Sequence, residues 1–416
     1  MIRWTLAFWE VRFRQEITWR PGAGVRSTLV TEEGIALATP DGEHRAFTLP
    51  ARERPALDPP IDLDAGPSLG AGGAEELLET ARCAALVRLA GEQAGRAAGE
   101  LLDPRVVLFR GAQAVKVLEA GAGVSEDRRH WGQLGVSYVA GKDRGRFSHW
   151  RVSDLPPCLP PDLEGLADAL VEDAVRLAAL QNRARPASGR LDVVLGPGAP
   201  SALFHEIAHH FEADQPGAAR LLGRRVGPPE LGMVDDPTLP GLAGSMAFDD
   251  EGTRCRPTTL IDGGVVVGLL HTRQTAREMG VPPTGNARRQ SFAHPPLARL
   301  TNTYIKPGAQ HAASLVRSVS RGVYVKDVMN CLVNPRTGQV HVAFAEAYPI
   351  EGGEVSDQPV SGRLVSESPW DITQAVTGVA GDLRITGGRG LCGKADQRLP
   401  VSSGQATVRL GQITVT

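Results

Sequence analysis

The residues best suited to catalysis lie in one short segment, His205-Glu-Ile-Ala-His-His210. A histidine followed by glutamate and, one helical turn later, by another histidine is typical of zinc hydrolases, because imidazoles four residues apart can bind one tetrahedral ion. In such a motif Glu206 would act as general base. Two residues compete for the second ligand position, since His209 stands at i+4 and His210 at i+5.

Two histidines leave a catalytic zinc one ligand short, because such sites normally have three protein ligands and an open position for water. The sequence offers three candidates for the third ligand. Glu212 and Asp214 follow the histidines directly, and Cys392 lies in the glycine-containing loop Gly390-Leu-Cys-Gly-Lys394. The pattern alone does not choose among them, although a cysteine would favour zinc over magnesium or calcium because soft sulfur suits a borderline-soft ion.

The histidine segment is expected to lie on a helix that follows a buried strand. Leu191-Asp-Val-Val-Leu195 is predicted to form the buried strand, and Gly196-Pro-Gly198 predicts a turn. Pro200 suits the first position of a helix. On a regular α-helix five residues correspond to about 140° of net rotation, so plain geometry places only His209 beside His205.

Upstream, residues 1–186 are predicted to form an N-terminal domain of mixed α and β structure. Residues 1–50 alternate in a β-like way around the turn signal Asp41-Gly42, and residues 50–73 are rich in Pro, Gly and Asp, as in a linker or long loop. A helix is predicted from Ala74 to about Leu102, then separate strands at 105–109 and 114–118 around Gly111, and then a second helix. That second helix is indicated by Leu163, Leu166, Leu170, Ala174 and Leu177.

Residues 187–416 are predicted to form a β-rich C-terminal domain that carries the histidine helix. Strand-like runs alternate there with glycine turns, as in Thr258–Ile261, Asp262-Gly-Gly264 and Val265–Val267. The predicted fold class is therefore α+β, with an N-terminal α/β domain followed by this β-rich domain.

Composition excludes several classes of protein. The chain has 416 residues, 42% of them hydrophobic and 22% charged, with a net charge of −2 and no apolar run long enough to span a membrane. Neither a membrane nor a nucleic acid is an expected partner, since the arginines form no basic run. The N-terminus has no signal-peptide pattern, and the five cysteines are odd in number and widely spaced, so a cytoplasmic location is expected.

The chain resembles the TldD/PmbA family, and in particular its TldD-like, catalytically competent branch. The resemblance covers residues 187–416 well, whereas the first hundred residues match poorly and look shortened. The matching motifs are Asp192-Val-Val-Leu-Gly-Pro-Gly198, His205–His210 with Glu212 and Asp214, Val234-Asp-Asp236, Phe248-Asp-Asp-Glu-Gly252, Pro283-Thr-Gly-Asn286, Ala293-His-Pro-Pro296, Thr301-Asn-Thr303 and Cys392-Gly-Lys394.

The resemblance implies a metalloprotease whose zinc is bound by the outer histidines of His-Glu-x-x-x-His and by the cysteine of a C-terminal Cys-Gly motif. In this chain those residues are His205, His210 and Cys392, with Glu206 as the catalytic base. The family pattern and the helical geometry agree only if the helix widens into a π-type turn, kinks or ends between His205 and His210. We therefore expect His210 near the metal and His209 turned away from it.

The resemblance also implies the substrates and the partner. Family members hydrolyse amide bonds in short unstructured peptides or in modified natural-product intermediates, and some remove acyl groups from small conjugates. A dimer is expected, as a heterodimer with a TldE/PmbA-like subunit that lacks the metal motif or as a homodimer. As an alternative, this chain could itself be the non-catalytic subunit. Separately, His294 and Arg288-Arg289 could contact substrate or line its pocket.

Overall fold

The computed structural model describes residues 2–38, 44–49, 57–58, 67, 73–97, 99–121, 123–140, 147–155, 159–334 and 337–416. The predicted turn at Asp41-Gly42 and nearly all of the predicted linker at 50–73 lie outside these residues. The part of the chain that is described is a mixture of α and β structure in which strands predominate, as predicted. No helix within it is long and apolar enough to cross a membrane.

In the first part of the chain, the described residues form eight strands and two long helices. They are β1 (Ile2–Arg3), β2 (Leu6–Arg20), β3 (Gly24–Ala38), β4 (His44–Thr48), β5 (Leu57–Asp58), α1 (Gly73–Arg96), β6 (Leu102–Glu119), β7 (Gly123–Ala140), β8 (Phe147–Asp154) and α2 (Leu163–Arg183). Six of the strands form one antiparallel sheet in the order β4-β3-β2-β6-β7-β8.

Helices α1 and α2 pack together on one face of this sheet. The leucine and alanine positions that predict α2 are mostly buried, and Asp162 caps the helix by accepting a hydrogen bond from the Gly165 amide. Both helices share a core with side chains of the central strands, among them Ile17, Leu108 and Val136. The helical spacing of apolar residues therefore predicted α2 correctly.

One local prediction is wrong. Strand β6 runs unbroken through Gly111, which the sequence suggested as a break between two strands. Gly111 pairs with Arg14 of β2 and with Trp131 of β7. A Cβ atom at this position would overlap the Trp131 ring. The glycine therefore makes room for an aromatic neighbour and forms no turn.

The second part of the chain, as far as it is described, forms seventeen strands and four shorter α-helices. They are β9 (Arg185–Pro186), β10 (Gly189–Leu195), α3 (Ala202–Ala208), β11 (Met233–Asp235), β12 (Thr258–Asp262), β13 (Val265–Val266), α4 (Arg273–Met279), β14 (Ala287–Arg288), β15 (Leu297–Ala298), β16 (Asn302–Ile305), α5 (Ala312–Arg317), β17 (Arg321–Val333), β18 (Val340–Glu351), β19 (Glu354–Val355), β20 (Val360–Ser361), β21 (Arg363–Ser366), α6 (Pro369–Gln374), β22 (Val376–Val379), β23 (Arg384–Lys394), β24 (Gln397–Gln405) and β25 (Val408–Val415).

Five of these strands close into a ring. Strand β10 pairs in parallel with β17 and antiparallel with β25, and the path β17-β18-β21-β25 completes the circle. The strand predicted at 191–195 lies in β10, where Val193, Val194 and Leu195 are fully buried. The sequence predicted this strand correctly because Val193, Val194 and Leu195 are consecutive apolar residues, as is typical of a strand buried on both faces.

A second sheet has the strand order β13-β12-β11-β16-β24-β23, and it ends in the β23–β24 hairpin that carries Cys392. Helix α3 packs against both the ring of strands and the second sheet, since it contacts β17 of the ring and β16 and β24 of the second sheet. A large core formed by residues between Leu191 and Val415 joins the two sheets.

The N-terminal sheet is tied to the second part of the chain by buried polar contacts. Arg129 of β7 donates to the Asp250 carboxylate at 2.6 Å and to the Phe248 carbonyl at 2.8 Å. The Phe292 amide donates to the Glu10 carboxylate of β2 at 2.8 Å. These contacts fix the sheet beside the β23–β24 hairpin. The boundary predicted at 186/187 falls between α2 and β10 and remains a prediction.

Candidate metal centre

The histidines lie where a short helix ends. A 3₁₀ turn at Ala199–Ser201 leads into α3, and a second 3₁₀ turn, His209–Phe211, follows it directly. Leu203, Ile207 and Phe211 are fully buried in the core and therefore fix the rotation of the segment about its axis. The side chains of His205 and His209 are left on the side that faces the β23–β24 hairpin.

Three potential metal ligands converge between α3 and that hairpin. One ring nitrogen of His205, one of His209 and the Sγ of Cys392 all lie within 4.8 Å of one another. The Cys392 Sγ is 3.1 Å from the Nε2 of His209, and the two imidazole rings meet edge to face with centroids 5.1 Å apart. His205 is only 8% exposed. The group is close enough to bind one ion.

The other nitrogen of His209 is held by a carboxylate. Its Nδ1 lies 3.2 Å from an oxygen of Glu212, whose side chain is completely buried. A metal-binding histidine commonly donates its second N–H to such a partner, which fixes the ring and makes the ligand nitrogen more basic. Glu212 is therefore placed to support His209 and not to act as the third ligand.

Two basic residues complete the surroundings of Glu212 and connect it to the hairpin. Lys394 Nζ donates to Glu212 at 2.9 Å and to Asp214 at 2.5 Å. Arg299 donates to the Cys392 carbonyl at 2.7 Å, and its Nε lies 4.0 Å from Glu212. The hairpin is thus anchored on both sides of Cys392.

The charges of these groups reinforce one another. Burial acts to raise the pKa of Cys392, but hydrogen bonds and positive charge from His205 and His209 lower it to about 4. Burial likewise acts to raise the pKa of Glu212, yet His209 and Lys394 lower it to about 2. Burial acts to lower the pKa of His209, whereas Glu212 and Cys392 raise it well above its usual value. The arrangement favours a thiolate, which is the metal-binding form of cysteine.

The structure corrects the placement expected for the two competing histidines. His210 lies outside the group: its Nδ1 is 3.1 Å from the Ile207 carbonyl, and its ring packs edge to face on Trp370 at 5.3 Å. The α-helix does end between His205 and His210, as one of the expected alternatives required. However, it ends by tightening into a 3₁₀ turn. A 3₁₀ turn rotates further per residue than an α-helix, so His210 is turned further away from His205 and does not come to lie above it. His209 therefore stands beside His205.

Glu206 lies next to His205 on α3 and is half-buried. Across the described residues its carboxylate makes no hydrogen bond and no ion pair to the protein. It lies near enough to Cys331 of β17 that its charge, added to the larger effect of burial, raises the pKa of that thiol. A half-buried carboxylate without a protein partner remains available to a water molecule or a substrate.

The donor set fits a zinc ion. The Nδ1 of His205 is buried without a hydrogen-bond partner among the described residues, an arrangement that costs free energy unless another group satisfies the nitrogen. Two imidazoles and a thiolate are ligands that zinc prefers, and three protein ligands leave a fourth position open.

Sequence reasoning identified most of these residues but missed how the carboxylates and basic groups are used. Glu212 and Asp214 were candidates for the ligand position, but both are bound to Lys394, which was quoted only as part of a motif. Arg299 was not singled out at all. Its only sequence signal is its position two residues before Thr301-Asn-Thr303. Arg288 does line a cavity, whereas His294 bonds to Ser291 at 2.8 Å.

That cavity has a volume of about 490 Å³ and is not lined by His205, His209 or Cys392. It lies between the N-terminal sheet and the β23–β24 hairpin, and the neighbouring Leu391 and Leu399 form part of its wall. Leu399 pairs directly with Cys392 across the hairpin. The cavity and the metal-ligand group therefore share this hairpin.

Comparison with known proteins places the second part of the chain in one family. Residues 188–416 match the family model described as PmbA/TldA metallopeptidase C-terminal domain. Among curated proteins, the chain is 36% identical over 251 residues to a protein of Haemophilus influenzae named metalloprotease TldD homolog; the match covers 59% of this chain and 52% of that protein. The chain thus spans about half the length of the curated relatives it matches.

Solved structures share the fold over nearly the whole chain. A protein of Thermotoga maritima, named as a candidate modulator of a DNA gyrase, superposes with a TM-score of 0.74 at 18% identity, covering 99% of this chain and 96% of that one. TldE from Thermococcus kodakarensis superposes with a TM-score of 0.70 at 16% identity, covering 99% and 96%. At such identities the likeness establishes the architecture alone.

Proposed function

Because this chain belongs to the TldD/PmbA family, we propose that it is a zinc-dependent hydrolase that cleaves amide bonds. The observation that carries the proposal is the convergence of His205, His209 and Cys392. The matched relatives bear the name metalloprotease, in agreement with this reading.

In this proposal His205, His209 and Cys392 hold the ion. A bound zinc ion polarises the scissile carbonyl and makes water a better nucleophile at neutral pH. Glu206 accepts the proton of the attacking water and returns it to the leaving nitrogen, a role for which its half-buried position and lack of a protein partner are suited. Glu212 keeps the His209 ring oriented, and Lys394 and Arg299 hold Glu212 and the hairpin in place.

The substrates we propose are short unstructured peptides or modified natural-product intermediates, with small N-acylated conjugates as the alternative. A folded protein would have to unfold locally to bring its backbone to a ligand group between α3 and the β23–β24 hairpin in which His205 is only 8% exposed. Incubation with a peptide panel and with a native globular protein tests this, and efficient cutting of the native protein would contradict it.

We further propose a cytoplasmic dimer, either with a TldE/PmbA-like subunit or with a second copy of this chain. The likeness of the fold to TldE supports a related partner of this kind. The full set of metal-binding residues speaks against a non-catalytic role for the chain itself. Light scattering of the purified chain, alone and mixed with such a subunit, decides between the assemblies, and an active monomer would contradict both.

The central experiment compares zinc content with hydrolysis. Glu206→Gln is expected to keep zinc and to lower turnover by about 10²–10⁴-fold, because the carboxylate transfers protons and does not bind the ion. Cys392→Ser is expected to lose zinc, because a neutral hydroxyl is a far poorer ligand than a thiolate. Glu278→Gln, an exposed glutamate on α4, is the control and should change neither quantity. Full activity of Glu206→Gln or full zinc content of Cys392→Ser would refute the proposal.

A further inference from the structure

The cavity between the N-terminal sheet and the β23–β24 hairpin carries an excess of positive charge. Its lining contains six arginines but only three acidic residues. The arginines are Arg12, Arg14, Arg110, Arg129, Arg288 and Arg398, and the acids are Glu10, Glu16 and Asp396. Burial raises the pKa of Glu10 to about 7, so one of the three acids is only partly charged at neutral pH.

Three of the arginines are buried, and one of them has no carboxylate partner. Arg12 pairs with Glu32, and Arg129 pairs with Asp127 at 3.0 Å and with Asp250 at 2.6 Å. Arg288, which is 3% exposed, donates only to the carbonyls of Leu300 and Pro400, at 2.7 and 2.8 Å. Its Nε has no partner among the described residues. Burial lowers the pKa of Arg288 and the charges of Asp250 and Asp235 raise it, but neither carboxylate forms an ion pair with this guanidinium. A buried charge is normally paired directly, so Arg288 lacks a contacting counter-ion among the described residues.

The lining also contains apolar and aromatic side chains, which are Phe109, Trp131, Val30, Leu391, Leu399 and Pro400, beside the uncharged polar residues Gln15, Thr28, Gln113 and Gln290. A volume of about 490 Å³ lies within the range of sites for small molecules. Inorganic anions would leave these apolar walls in contact with water. An organic acid would satisfy both the walls and the arginines.

We propose that this cavity is a binding site for a small carboxylate ligand with an apolar or aromatic body. The carboxylate takes the place of the missing counter-ion of Arg288, where the planar guanidinium suits a planar anion. The exposed Arg398 and Arg14 at the rim attract the ligand, and Trp131 and Phe109 contact its apolar part. None of these residues belongs to the proposed metal site, so ligand binding requires neither bound zinc nor hydrolysis.

The test uses phenylacetate as probe and phenylacetamide as its uncharged counterpart, with saturation-transfer NMR on the full chain. Phenylacetate should receive saturation, and phenylacetamide should bind at least about tenfold more weakly, since it lacks the charge that pairs with Arg288. Arg288→Gln should weaken phenylacetate binding by about tenfold or more. Arg398→Gln, at an exposed position, should weaken it about threefold and keeps the test valid if the buried substitution impairs folding.

Arg321→Gln is the matched control, because Arg321 is exposed at the start of β17 and does not line the cavity. It should leave binding unchanged. Absence of saturation, equal binding of the acid and the amide, or equal effects of the Arg398 and Arg321 substitutions would overturn the proposal. Loss of hydrolysis in Glu206→Gln has no bearing on any of these results, so the two proposals fail separately.

Discussion

Replacing Glu212 by glutamine tests whether the carboxylate behind His209 contributes to metal binding. Glutamine keeps the size of the side chain but removes the charge that faces the Nδ1 of His209 at 3.2 Å. The substituted residue can still bond to the Leu300 amide, which lies 3.2 Å from Glu212. The substitution also removes the charge that faces Lys394 at 2.9 Å, so a control must separate that contact from the support of His209.

The expected magnitude follows from the position of Glu212. Loss of a carboxylate that orients a metal-binding histidine typically lowers metal affinity 10–100-fold. That range corresponds to about 1.4–2.7 kcal/mol of binding free energy. We expect the upper part of the range, because Glu212 is fully buried and little solvent screens its interaction with His209.

The assay is competition for zinc between the protein and a chromophoric chelator of known affinity, which needs no substrate. Asp214→Asn is the matched control. Asp214 bonds to the same Lys394 Nζ as Glu212, but no contact joins it to His209. The control should change zinc affinity by less than about threefold.

Two results would refute the reasoning. If Glu212→Gln binds zinc as tightly as the unaltered chain, the carboxylate does not support a ligand. If both substitutions weaken binding equally, the important contact is the one between Lys394 and either acid, which holds the hairpin, and the His209–Glu212 pair is incidental.

The remaining predictions concern the choice of histidine and the effect of pH on stability. His209→Ala should lose zinc, measured by elemental analysis, while His210→Ala should retain it because His210 packs on Trp370 away from the ligand group; the opposite pattern would restore the i+5 assignment. Burial raises the pKa of Glu10 from about 4.5 to about 7. The folded state therefore binds this proton more tightly than the unfolded state does, and the resulting stabilisation is lost as the pH rises from about 4.5 to about 7. Relative to Glu10→Gln, the unaltered chain should therefore lose about 2–4 kcal/mol of unfolding free energy between pH 4.5 and pH 7.5, measured by urea unfolding; an unchanged difference between the two proteins would contradict this.

The ligand positions show what the sequence could and could not predict. Local spacing singled out His205, Glu206 and the pair His209 and His210, because these residues share one short segment. The choice between the two histidines depended on whether the helix widens or tightens after Ala208. Whether the helix widens or tightens depends on the burial of Phe211 and on the ring of Trp370, which is 160 residues away in sequence. No local sequence pattern can therefore predict it.

The same contrast holds for the fold. Strand β10 and helix α2 were predicted because their apolar periodicity reflects their own burial. Gly111 was misread as a break, because the reason for the glycine is the Trp131 ring on the neighbouring strand. Lys394 and Arg299 acquire their roles only once the hairpin has folded against the loop after α3. Such contacts between distant segments carry no sequence signature in a single chain.

The closed ring of strands has a consequence for the order in which the protein is made. Strand β10 precedes α3 directly, yet one of its two neighbours is β25, which contains the last strand residues of the chain. On the ribosome, β10 therefore waits for more than two hundred residues before both of its edges are covered, and Cys392 emerges long after the histidines. Contacts of such long range are slow to form. The ligand set proposed for the metal is consequently incomplete until Cys392 has been made and the β23–β24 hairpin has folded beside the histidines, and until then the open edge of β10 and the Cys392 thiol are exposed to chaperones, oxidants and competing metals.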